Sequence, residues 1–150
     1  MSNEDRLATI QHGAIVMLIG LLFGFATMLQ EEPVRFWHTA HETTVFIGIM
    51  LLAVSAVLPA LRLERWEARA LMRSIHATAY GLPAGLLIQA VIGEHAFSPT
   101  TDPVRMFAFL CNITGMGGSV FLASLTLMGA RGALRVTGGQ LLMTGDPTNP

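Results

Sequence analysis

Residues 13–29 carry no charged side chain, and apolar stretches of comparable length recur at 43–61, 74–92 and 106–128. Crossing a bilayer core of about 30 Å takes about 17–25 apolar residues in a helix. Inside hydrocarbon the backbone has no water to bond, so each stretch must satisfy its own amides and carbonyls as a helix. The expected fold is therefore all-α: an integral membrane four-helix bundle with helices at about 13–30, 43–61, 74–92 and 106–128. Composition agrees. Charged residues make up 13% of the chain, against roughly 25% in soluble domains, which is the shortfall a lipid-facing surface produces.

The length suits one domain over residues 1–135, with a disordered tail expected at 136–150. The net charge of −1 offers no basic face for nucleic acid. Cys111 is the one cysteine, so no disulfide framework exists. Residues 1–11 are polar and lack the basic start of a removable signal peptide, and are expected to stay attached as a short tail.

Several segments between and within the spans carry information. Gly20 and Gly24 form a GxxxG spacing that would let another helix approach closely. Residues 30–42 read as an amphipathic loop, with Trp37 suited to the interfacial aromatic belt. Arg62 to Arg73 is the most charged segment and is expected to continue helically into the third span. That span is the most polar, with His76, Thr78, Tyr80, Pro83 and Gln89, and is expected to line a site. The fourth contains Asn112 and the small-residue patch Gly115-Met116-Gly117-Gly118, and from Gly129 the chain reads as loop.

All nine basic residues are arginines. With four spans, Arg6, Arg62, Arg65, Arg69, Arg73, Arg131 and Arg135 fall on one side, Arg35 and Arg105 on the other. The positive-inside rule then places both termini in the cytoplasm. His38, His41 and His95 belong to the outer half and His12 and His76 to the inner. The two groups are expected to lie roughly 20–30 Å apart in depth at 1.5 Å per residue.

His38 and His41 are spaced i, i+3 and would share a helix face if the second helix begins early. With Glu42 they could form a small metal site, since imidazole and carboxylate suit zinc or iron. Equally, one imidazole could be the axial ligand of a haem covered by apolar helix surface. Spacing does not choose between these. Cys111 reads as a buried, inert thiol rather than an iron ligand.

Gln11-His12-Gly13 followed by Leu21-Leu22-Phe23-Gly24, then Trp37, Ala40-His41, Ala53-Val54 and Val57-Leu58-Pro59, resembles the styrene oxide isomerases. Ser74-Ile75 and Phe97-Ser98-Pro99 extend the likeness. That family comprises small four-helix membrane enzymes of bacterial styrene degradation. The resemblance implies a homotrimer in the bacterial inner membrane that binds haem b. It makes His41 the iron ligand; beside it, Trp37 is read as stacking on a porphyrin edge or anchoring at the interface, and His38 as a second ligand should the protein be a carrier. It also implies that ferric iron acts as a Lewis acid on an epoxide: carbon–oxygen cleavage and a hydride shift yield an aldehyde without consuming redox equivalents.

The sequence departs from the family at two positions. The family's active-site asparagine and helix-3 tyrosine align with Ile47 and Leu87. Tyr80 and Asn112 are the candidate catalytic replacements, with Gln89 beside them. The alternative function is a haem-binding electron carrier or sensor that lacks isomerase activity.

Overall fold

The computed structural model describes residues 3–29 and 34–144. Among them there is no strand. Helix α1 spans Asn3–Leu29 and α2 spans Val34–Val57, ending in a single 3₁₀ turn at Leu58–Ala60. Helix α3 (Arg65–His76), a π-turn (Ala77–Gly81) and α4 (Leu82–Ile92) follow one another without a break, and α5 covers Pro103–Thr144. Four stretches are long and apolar enough to cross a membrane: Asn3–Leu29, Arg35–Ala60, Arg65–Ile92 and Pro103–Leu134. The four-helix, all-α membrane architecture is what the apolar runs required.

Every helix extends beyond its apolar run. Residues 3–11, expected as a tail, form the first turns of α1, where Glu4 and Asp5 meet the positive end of the helix dipole. Residues 34–42, expected as loop, are the first two turns of α2. Helix α5 does not stop at Gly129 but runs to Thr144, so the expected disordered tail is helical up to that point. Residues 145–150 of that tail lie outside the described residues. Packing explains the first part of this extension. The carbonyl of Gly129 accepts a hydrogen bond from the Arg62 backbone amide at 3.1 Å, anchoring α5 to the connection between the second and third spans.

Helix α3 begins with a reciprocal capping box: the Glu64 side chain caps the Glu67 amide, and Glu67 returns a bond to the Glu64 amide at 2.7 Å. Glu64 also accepts from the Trp66 indole N–H at 2.8 Å. The π-turn has a cause in Pro83, which has no N–H to give and whose ring crowds the carbonyl four residues back. A wider turn at Ala77–Gly81 takes up that mismatch and redirects Tyr80. Helix α4 ends at Gly93, whose φ of 67° lets its backbone N–H close the last turn by donating to the Gln89 carbonyl.

The packing has two hydrophobic centres. Val16, Ile47, Leu51, Leu58, Leu71, Ile75 and Leu122 bring all the spans together in the larger one. Phe23, Ala40, Leu86 and Ala90, backed by Phe36, Trp37 and Leu87, form the second around the start of α2. Large apolar side chains such as Leu22, Phe25, Phe46, Phe107 and Phe121 remain exposed along the outside. A surface of that extent is an aggregation liability in water and an ordinary lipid-facing surface in a bilayer. The chain is an integral membrane protein.

Candidate functional site

The early start of α2 creates the site. His38 and His41 lie on one face of its first two turns and line a common cleft of about 450 Å³ against α1. Leu21, Gly24, Phe25, Thr27 and Met28 supply the α1 wall, so the lining is almost wholly apolar.

His41 is fixed by α1. Its Nδ1 lies 2.8 Å from the Gly20 backbone carbonyl, which can only accept, so Nδ1 carries the proton. The lone pair is then on Nε2, the tautomer that a metal-binding histidine needs. The two glycines of the GxxxG spacing each make this possible. A Cβ on Gly20 would lie 2.7 Å from the Val45 backbone nitrogen, so glycine there sets the separation of α1 and α2. A Cβ on Gly24 would lie 2.9 Å from both Cε1 and Nδ1 of His41, so glycine there leaves room for the ring itself.

The other expected site residues are distributed differently. His38 shares the cleft, and its Nδ1 forms an ion pair with Glu42 at 3.3 Å when protonated. Trp37 packs edge-on against Phe23, with centroids 6.2 Å apart, and does not line the cleft. Tyr80 is bonded to His12 at 2.6 Å, toward the other end of the bundle. Asn112 is completely buried on α5, where its Nδ2 donates to the Ala96 carbonyl at 3.0 Å while Oδ1 has no partner. Gln89 is also buried, with Nε2 unpartnered. Cys111 is a free, partly buried thiol on α5.

Among the described residues, no three His, Cys, Asp or Glu side chains are grouped so as to hold a metal ion. This removes the His38–His41–Glu42 set. Glu42 follows His41 directly and so points about 100° around the helix from it, toward His38, while His41 is turned to Gly20. Ile47 (3% exposed) belongs to the main core and Leu87 packs on the second cluster. Neither lines the cleft.

His41 lies nearer in depth to His12 than the separation expected between the two histidine groups. Because His41 lies two turns into α2, it faces Gly20 and Gly24, eight to twelve residues beyond His12 on α1. That is about 12–18 Å of depth. The carbonyl partner of His41 and the role of Gly24 were not readable in advance. The signal for both was present: a GxxxG in one helix facing a histidine in the next.

Fold and cleft together define a four-span membrane protein whose α1–α2 pair presents one tautomerically fixed imidazole to an apolar cavity. The family model of the styrene oxide isomerases matches residues 5–134 of this chain. The chain belongs to the styrene oxide isomerase family. No curated protein matches it.

Proposed function

We propose that the chain is a haem b protein of the styrene oxide isomerase type, isomerising a small apolar epoxide to an aldehyde. The observation that carries this reading is the hydrogen bond from His41 Nδ1 to the Gly20 carbonyl. It leaves Nε2 of His41 free beside an apolar cleft, which is the donor type and surroundings that suit a haem iron. The residues present therefore fit the group: His41 would ligate the iron, and Leu21, Phe25 and Met28 would cover the porphyrin.

When bound, ferric haem supplies a Lewis acid that polarises the epoxide oxygen, with no net redox change. The chain's own residues do the rest. The Gly20 carbonyl fixes the tautomer of His41 and holds its ring against rotation. Leu21, Phe25 and Met28 give the cleft an apolar wall that would keep water from a bound substrate and so disfavour hydrolysis. His38 lies one turn before His41 and on the same wall. It would therefore lie beside a bound group together with His41.

The cleft is open toward the outside of the bundle, and α1 is exposed along this side at Leu22, Phe25 and Met28. Assembly as a homotrimer in the bacterial inner membrane is taken from the likeness to the family, and this exposed side leaves room for a protomer contact. The arginine distribution supports cytoplasmic termini. Beyond the start of α2, Arg35 donates to His95 Nε2 at 3.1 Å, and Arg105 pairs with Glu94.

One observation favours a second reading, a haem-binding electron carrier or sensor. Ile47 and Leu87 place packing side chains at the positions of the family's asparagine and tyrosine. The readings separate on turnover of styrene oxide by the purified ferric protein. Aldehyde formed by ferric protein and suppressed on reduction to ferrous supports the isomerase. No aldehyde from haem-loaded ferric protein supports the carrier. Turnover unchanged by reduction contradicts the Lewis-acid account.

A further inference from the structure

At the opposite end of α1 from the cleft, two further histidines meet. His12 on α1 and His76 at the end of α3 have ring centroids 4.5 Å apart at an interplanar angle of 71°. Each ring has its Nδ1 engaged. His76 Nδ1 donates to the Met72 carbonyl at 2.7 Å. His12 Nδ1 lies 2.6 Å from the Tyr80 hydroxyl, which accepts from it in the tautomer protonated at that nitrogen. His76 is thereby left with Nε2 free, and so is His12 in that tautomer.

We propose that His12 and His76 form a binding site for a divalent transition-metal ion of the copper, nickel or zinc class, with Tyr80 as a positioning residue. Three observations support it. The first is chemical: imidazole is the preferred side-chain donor for these ions. The second is geometric. At a metal–nitrogen distance of about 2.0–2.1 Å, two adjacent imidazole ligands have centroids roughly 4.5–5 Å apart. The shorter value corresponds to the near-right-angle arrangement of tetragonal copper(II) or nickel(II).

The third is the support behind the ligands. Metal-bound histidines almost always donate their second nitrogen to a carbonyl, carboxylate or water. Here that role falls to the Met72 carbonyl and the Tyr80 hydroxyl. The latter comes from the π-turn, a feature that occurs frequently at functional sites. His76 and Tyr80 are exposed and His12 half-buried, so water can complete the coordination. The ion would tie α1 to the junction of α3 and α4, two elements that otherwise touch little.

The test is copper(II) binding by the full-length, haem-loaded protein in detergent, read by electron paramagnetic resonance. The expected spectrum shows hyperfine coupling to two imidazole nitrogens. His12→Ala and His76→Ala should each reduce this to one nitrogen and weaken binding at least about tenfold, while His95→Ala changes nothing. Tyr80→Phe should keep two nitrogens and bind about 10–100-fold more weakly. A two-nitrogen spectrum surviving in the His12→Ala/His76→Ala double variant would overturn the assignment. So would wild-type protein that retains no copper after desalting. Unchanged circular dichroism separates loss of a ligand from loss of fold.

Discussion

His41 of α2 donates a hydrogen bond from Nδ1 to the Gly20 carbonyl of α1 at 2.8 Å, across a helix pair that has glycine where the backbones come closest. The bond decides the tautomer, the ring orientation and the depth of the imidazole together. It also joins fold to function, because the contact that packs α1 on α2 is the one that aims Nε2.

Gly24→Ala should disturb the site more than the fold. Its new methyl would sit 2.9 Å from the His41 ring, an aromatic group that yields by rotating. Haem retention should fall while helix content is unchanged, read by absorbance against circular dichroism on one sample. Gly20→Ala should behave differently, since its methyl meets the Val45 backbone. Overpacking of that kind costs about 1–3 kcal/mol and should appear as a lower unfolding temperature in detergent.

Ile47→Asn tests whether the family's asparagine can be restored. Ile47 lies in the main core among Val16, Leu51 and Leu122. An amide buried there without partners costs on the order of 1–3 kcal/mol. The variant should unfold at lower temperature, and isomerase activity should not rise. Increased turnover in a stable variant would mean that this position reaches the substrate after all.

Glu64→Ala should loosen the start of α3 alone. It removes the side-chain cap of the reciprocal box and the acceptor of the Trp66 indole. Loss of a cap costs about 0.5–2 kcal/mol. Hydrogen exchange should accelerate over residues 65–68 with little change at Leu51 or Leu122.

The spans were legible because hydropathy reports where hydrocarbon surrounds a helix. It does not report where the helix ends. Val34–Glu42, Asn3–Gln11 and Gly129–Thr144 are helical outside that slab, held by the helix dipole, by the α1–α2 contact and by the Arg62–Gly129 bond. His41 stood out in the sequence through its neighbours, yet its partner was a backbone carbonyl, which has no sequence letter. Tyr80, a candidate catalytic residue in the sequence, sits in the π-turn at Ala77–Gly81 and is bonded to His12, and a wider turn has no periodic signature. Only Pro83 hinted at it.

The central claim is that His41 ligates haem iron, and the absorption spectrum of the detergent-purified protein tests it most directly. Wild type and His41→Ala would be compared in the ferric and reduced states, with haem supplied during expression. The expected result is a strong Soret band in wild type, of the high-spin kind that an open sixth position gives, and its loss in His41→Ala. A wild-type protein with no Soret band, or a band indifferent to the substitution, would contradict the account.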